Sequence, residues 1–272
     1  MTTGRALVDE ISALQLPRGA MAFWWLGQLG YAVKIEQTVF YIDPFLAPGT
    51  WRNVPPLMDA SEITNADWVL GTHDHGDHID RWAYPRIAAA SPEARFVCSR
   101  AASATVLGLG IAPERVIGTD EGQVVQDGDT VITPVASAHE FLDHDPELGY
   151  PYLGFVIQQD GVCLYHSGDT TRYEGMRCKL ERWSFDAVFL PINGRDAVRY
   201  AHNTIGNMTY QESVDLAGEL KPRLTVPGHY EMFSSNSENP QLFVDYMRVK
   251  YPERQVWVGE HGTCVIVPPR EG

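Results

Sequence analysis

The chain has 272 residues, 44% of them hydrophobic, enough for one large core or two modest ones, and its composition marks neither disorder nor a coiled coil. A net charge of −14 at pH 7 argues against a nucleic-acid or anionic-membrane surface. No apolar run approaches the ~20 residues that cross a bilayer, the start lacks a secretory apolar core, and Cys98, Cys163, Cys178 and Cys264 show no CxxC spacing, so a reduced, cytoplasmic setting is expected.

Residues 1–16 read as an amphipathic helix with Leu7, Ile11 and Leu14 on one face, ended before Pro17-Arg18-Gly19. Ala22–Leu26 reads as a buried strand, and Gly27-Gln28-Leu29-Gly30 after it as a close backbone approach, since no GxGxxG or GK[ST] surrounds the glycines. Val39–Ile42 is the next strand; Asp43 at its end either orients a ligand histidine or caps the turn at Pro44. The proline- and glycine-bearing loop 47–61 is long enough to border a pocket. Ala66–Gly71 is a short strand closed by glycine. Helix-like runs at 82–90 and 100–108 alternate with strands at 96–98 and 115–117, the pattern of an α/β layer arrangement.

Two hairpins follow, turning at Asp127-Gly128-Asp129 and Gln159-Asp160-Gly161. A helix over 175–183 leads to the strand Ala187–Pro191. Thr209 and Glu212 form a capping-box pattern for a helix stopped by Pro222, and Asn239-Pro240 opens the last helix. Leu224–Pro227, Val256–Val258 and Cys264–Val267 read as strands, and with no linker in view the chain is expected to form one domain, 1–272, with residues 1–19 as helix and lead-in.

The chemistry concentrates at Thr72-His73-Asp74-His75-Gly76-Asp77-His78-Ile79-Asp80, where three imidazoles and their neighbouring carboxylates leave the mouth of a strand. Ionisable groups packed this way would repel or stay idle without a cation, and N and O donors suit zinc, manganese or iron. Two pairs of ligands on one loop point to two adjacent ions. The pattern of a strand ending in His or Asp recurs at His139, Asp169 and His229.

His73-x-His75-x-Asp77-His78, with His139, Asp169 and His229 downstream, resembles the metallo-β-lactamase superfamily. Trp24-Trp25-Leu26-Gly27, Thr72–His75, Asp77–Asp80 and Leu164–Asp169 are similar to the L-ascorbate-6-phosphate lactonase group within it. The resemblance implies an α/β four-layer αββα sandwich with the site at one edge between the sheets. It implies that His73, His75 and His139 bind one metal, that Asp77, His78 and His229 bind a second, and that Asp169 bridges them. Asp77, His78 and Asp169 are then the expected catalytic residues. Two divalent ions ~3.5–4 Å apart lower the pKa of a bridging water and polarise the bond to be cleaved.

The implied activity is metal-dependent hydrolysis, most of all lactone ring opening. A phosphodiesterase acting on a nucleotide or phospholipid head group, and a silent scaffold of the same fold, are the alternatives. An anionic small substrate is expected, held by Arg172, Tyr173, Asn193, Arg195, Arg199 and His202, because arginine forks suit phosphate and carboxylate. His144 and His261 could line the rim and His166 could support a ligand. No nucleic-acid or membrane partner is expected, and a homo-oligomer is left open.

Overall fold

Strand β1 (Met21–Gly27) is buried along its whole length. Met21, Phe23 and Trp25 enter one apolar cluster, while Ala22, Trp24 and Leu26 enter another. Successive strand side chains point to opposite faces, so a strand apolar on both needs a layer on each side. The computed structural model, which describes residues 2–270, supplies those layers.

Beside β1 lie β2 (Gly30–Ile35) and β3 (Thr38–Ile42), both antiparallel to their predecessors. Then β4 (Trp68–Gly71), β5 (Arg95–Ser99) and β6 (Val116–Thr119) continue the sheet in parallel. The second sheet holds β7 (Val125–Asp127), β8 (Thr130–Ala136), β9 (Leu153–Gln159), β10 (Val162–His166), β11 (Ala187–Pro191) and β12 (Leu224–Gly228). Its first four strands are antiparallel and its last three parallel. The final strand, β13 (Cys264–Val267), returns to the edge of the first sheet beside β1.

Helices α1 (Arg5–Ala13), α2 (Ala83–Ala90) and α3 (Ser103–Gly108) bury Leu7, Ile11, Tyr84, Ile87 and Val106 in the cluster on the outer face of the first sheet. On the second sheet, α4 (Met176–Leu180), the short α5 (Ala197–Ala201), α6 (Tyr210–Leu220) and α7 (Pro240–Lys250) follow, with Leu180, Val214, Ala217, Phe243 and Met247 joining the larger cluster. This is the α/β four-layer sandwich the motif implied.

The expected capping signals do their work. Thr209 and Glu212 form the reciprocal capping box of α6, and Asn239 caps α7 with Pro240 in its first turn. Three expectations need correction. The first helix ends at Ala13 and not at 16: Leu14 is extended, and the buried Lys34 ammonium donates to Ile11 O (2.9 Å) and Ser12 O (2.7 Å), closing the helix there; Met1 lies outside the described residues. Residues 256–258 form no strand, because only Val256 bridges to Thr225 before Trp257 turns in, its ring edge-on to Phe23 at 5.3 Å. The 175–183 helix is the single turn and a half of α4, started by Gly175 at φ 85°. The helix α5 had no sequence signal beyond Asp196, whose carboxylate accepts from Val198 N and Arg199 N. Among the described residues no helix is long and apolar enough to cross a membrane.

Candidate metal centre

Four strand ends converge at one edge between the two sheets. The chain leaves β4 and turns within one residue of His75, whose carbonyl accepts from His78 N and Ile79 N. That turn folds His78 back over His73, bringing their rings 4.1 Å apart. From the second sheet come His139 beyond β8, Asp169 beyond β10 and His229 beyond β12. Every one of these groups except His75 and Asp77 is nearly or fully buried.

Their donor atoms fall into three overlapping sets, each within 4.8 Å: His73, His75 and His139; Asp77, His78 and His229; and His73, His78 and Asp169. The last set places Asp169 beside the other two. Its Oδ1 is 3.4 Å from His78 Nε2, and its Oδ2 is 3.1 Å from His229 Nε2 and 3.8 Å from His139 Nε2. His78 Nε2 and Asp169 Oδ1 are buried with no hydrogen-bond partner, although they face each other. Two donors each ~2.1 Å from a common ion, at tetrahedral to octahedral angles, stand about 3.0–3.4 Å apart. The orphaned atoms and their spacing therefore fit a divalent ion better than they fit hydrogen bonds among themselves.

The supporting shell is built for that purpose. Asp43, at the end of β3 with φ 46°, accepts from Thr72 N (2.8 Å), Thr72 Oγ1 (2.8 Å) and His78 Nδ1 (2.7 Å). Of the two roles open for Asp43, it therefore orients a histidine. A proton held on Nδ1 turns His78 Nε2 toward the centre, where a bound cation would displace the second proton. Glycines admit the backbone: a Cβ on Gly30 would meet Asp43 O at 2.7 Å, and one on Gly168, at φ 58°, would meet Leu153 O at 2.7 Å. His166 supports Asp169 indirectly, its Nε2 on Leu29 O (2.8 Å) and its Nδ1 accepting from Gly168 N (3.2 Å).

Charge follows from burial and neighbours. Burial pushes His73 well below the usual histidine range and His139 to about 4, which keeps both rings neutral, the form that binds metal. Burial also opposes charge on His78, but the carboxylates of Asp169, Asp43 and Asp77 outweigh it and raise that ring well above its ordinary value. Burial would raise Asp169, yet His229 and His78 hold its carboxyl far below the carboxylate range. A carboxylate gathered among imidazoles is the charge pattern a cation would complete.

Sequence reading passed over Gln28, which sits at φ 55° on the turn after β1. Its Nε2 lies 2.8 Å from Asp77 Oδ2 and 3.1 Å from His229 Nε2, so the first sheet reaches the second through this amide. The flanking glycines were the only signal, since they mark a tight approach without naming what approaches.

The expected anion-binding residues are placed differently. Arg195 spends its fork on Glu212 (2.7 Å on both arms) and Asn207 O, and Arg172 pairs with Glu219 at 2.5 Å. Arg199 is held by Asp196, Asn236 Oδ1 and Ser237 O. Tyr173 donates to Ala136 O at 2.5 Å, buried Asn193 bonds Asn236 and Asn207, and exposed His202 bonds Val198 O. These side chains build the 193–207 loop and its neighbours. A guanidinium already matched by carboxylate has little left for a substrate anion. His144 packs edge-on to Tyr150 at the surface, and buried His261 stacks on Trp25 at 3.9 Å.

The family model of the beta-lactamase superfamily domain matches residues 38–230. A metal-dependent hydrolase of Thermococcus kodakarensis is 28% identical over 254 residues, 91% of this chain and 96% of its own. In fold, the chain is similar to a metallo hydrolase of Ignicoccus hospitalis, with a TM-score of 0.70 and 21% identity over 91% of this chain and 98% of that one. It is similar also to the diiron β-hydroxylase CmlA of Streptomyces venezuelae, with a TM-score of 0.69 and 13% identity over 93% of this chain and 54% of that one. At such identities these two likenesses are of fold alone. The family match spans most of the chain, including His73, His75, Asp77, His78, His139, Asp169 and His229, and the protein belongs to the beta-lactamase superfamily.

Proposed function

We propose that the protein is a metal-dependent hydrolase that opens a carboxylic ester, a lactone above all, in a small molecule. The observation that carries this reading is the pair of buried ligand atoms without hydrogen-bond partners, His78 Nε2 and Asp169 Oδ1, in a set that overlaps the His73, His75 and His139 triad at His73 and the Asp77, His78 and His229 set at His78. The similarity over 91% of the chain to a metal-dependent hydrolase supports it, and the fold is one that a diiron protein also has. In our assignment His73, His75 and His139 hold one ion, Asp77, His78 and His229 a second, and Asp169 both. A divalent metal bound there would activate water at neutral pH and act as a Lewis acid toward the acyl oxygen.

The chain's own part is to keep that chemistry poised. Asp43 fixes the His78 tautomer, and Gln28 holds the Asp77 carboxylate by donating to Oδ2. Asp77 is the most exposed of the carboxylates in the centre, so it is the group placed to pass a proton between the site and solvent. Water adds to the acyl carbon, the ring C–O bond breaks, and a carboxylate and an alcohol result. We assign the whole chain to a single cytoplasmic domain with a small-molecule substrate, and zinc, manganese and iron all suit the donors.

The test is turnover by metal-reconstituted protein, with His78→Ala as control, on a panel of lactones and phosphodiesters. Metal-dependent lactone opening lost in the variant is expected. Phosphodiester cleavage alone would replace the lactonase reading with the nucleotide or phospholipid head-group alternative. Inactivity on the whole panel, with full metal content, would favour a silent scaffold.

A further inference from the structure

Beside Asp77 the surface is not basic but aromatic. A shallow, open cleft of about 480 Å³ is lined by Phe45, Trp51, Trp82 and Phe233, with Gly76 and Asp77 also on its border. Phe45 and Trp51 stack at 5.4 Å and 29°, Trp51 and Phe233 at 6.2 Å and 25°, and Phe45 meets Phe233 at 6.0 Å. Trp51 is nonetheless 51% exposed, a large apolar surface left to water.

This wall is fixed in place. Buried Arg52 donates to Phe45 O, Ala47 O and Val54 O and lies 4.8 Å over the Phe45 ring. Asn53 ties the same loop across to Met232 O and Glu231 O. Buried Asp80 takes Leu46 N and Ala47 N from one side and Trp82 N and Ala83 N from the other, so its four acceptor positions are filled and it pins two walls together.

The walls also share their origin with the metal centre. Phe45 follows Asp43 by two residues, Trp82 follows His78 by four, and Phe233 follows His229 by four. The cleft is thus continuous with the centre through Asp77, a carboxylate common to both. Its volume is in the range of small-molecule sites. Among the described residues that line it, the cation is Arg81, which is engaged by Asp74 and Ile79 O. With a chain charge of −14, and with Arg172, Arg195 and Arg199 each paired with a carboxylate, little favours an anion here.

We propose that the cleft of Phe45, Trp51, Trp82 and Phe233 is a substrate subsite that receives an uncharged alkyl or aryl group, so that the substrates are apolar-substituted esters or lactones. This rests on the hydrolase reading for the reaction but not for the binding.

Two measurements separate the two. The first is kcat/KM on γ-lactones whose side chain grows from none to six carbons, with an ω-carboxylate analogue of equal length. Wild type should gain about fourfold per methylene over the first few carbons, and the carboxylate analogue should lose most of that gain. Trp51→Ala and Phe233→Ala should flatten the series. The second is binding of the neutral fluorophore N-phenyl-1-naphthylamine to metal-loaded protein, weakened at least tenfold in either variant, with metal content checked to show that the centre survives. If no lactone turns over but the probe binds in this way, the hydrolase reading fails and the subsite stands. A flat series, or probe binding indifferent to both substitutions, overturns the subsite. Because Trp51 is half exposed, its removal leaves the core intact, and Trp51→Phe should recover most of the binding.

Discussion

Replacing Asp43 by Asn exchanges one carboxylate oxygen for an amide NH2 at a site with three donors. If the amide oxygen stays on Thr72 N, the NH2 faces His78 Nδ1, which lies 2.7 Å away in the wild type. The ring must then move its proton to Nε2, the atom that faces Asp169 at 3.4 Å, and metal is blocked by the wrong tautomer. If the amide turns over, Thr72 N–H loses its buried acceptor at a cost of about 1–3 kcal/mol. The first arrangement, which keeps the Thr72 N–H bond at the expense of the ligand, is the one expected. Metal affinity should fall by about 10–100-fold, or about 1.4–2.7 kcal/mol. The metal-free protein should lose about 1–3 kcal/mol, which lowers Tm by roughly 3–10 °C for a chain of this size. Competition against a chromophoric chelator measures the first quantity and scanning calorimetry the second. Affinity within threefold of wild type alongside a lowered Tm would refute the reasoning, since Asp43 would then serve the fold and not the ligand.

Gly168→Ala should cost about 2–4 kcal/mol in urea unfolding and lose metal, because its Cβ would meet Leu153 O at 2.7 Å and Thr72 Cβ at 2.8 Å just before Asp169. Normal metal content would show that the strand ends can shift. Arg195→Ala should change kcat/KM by less than threefold on an anionic substrate yet lower stability by about 1 kcal/mol, as the Glu212 of the α6 capping box loses its partner; a tenfold loss in kcat/KM with stability unchanged would restore Arg195 to substrate binding. In metal-free protein, burial and then nearby Arg52 hold His261 at about 4. The unfolded chain, with a pKa near 6.5, takes up that proton first as pH falls. Stability is therefore full above about 6.5 and declines toward 4. The urea midpoint should drop across that window and drop less in His261→Gln; an equal drop would clear His261 of the effect. His139, also at about 4, keeps part of the slope in the variant.

Most strands were legible because they carry apolar residues and end in a turn signal, whereas β2 and the exposed Val125–Asp127 of β7 were not read as strands. Asp127-Gly128-Asp129 and Thr209-to-Glu212 are local devices, decided by neighbours in sequence. The metal-type residues were legible for a different reason: histidine and aspartate at successive strand ends have few structural uses, and no distant partner is needed to see them. The partners of the expected anion-binding residues were not legible. Arg195 looks free in sequence and is matched only when α6 brings Glu212 to it. The aromatic wall is the converse, since Phe45, Trp51 and Phe233 look like core residues until loops from β3 and β12 meet outside the core.

The two sheets contribute unequally to this centre but both are required, with His73, His75, Asp77 and His78 from one and His139, Asp169 and His229 from the other. A metal ion held as proposed is therefore a clasp across the sandwich, and the sheets cannot part at that edge until it lets go. Unfolding of the loaded protein then waits on metal release, which a free chelator makes irreversible. A sample only partly loaded would behave as two molecules, one that opens promptly in denaturant and one that lingers. The ratio of their amplitudes would report occupancy without any chemical assay for the ion.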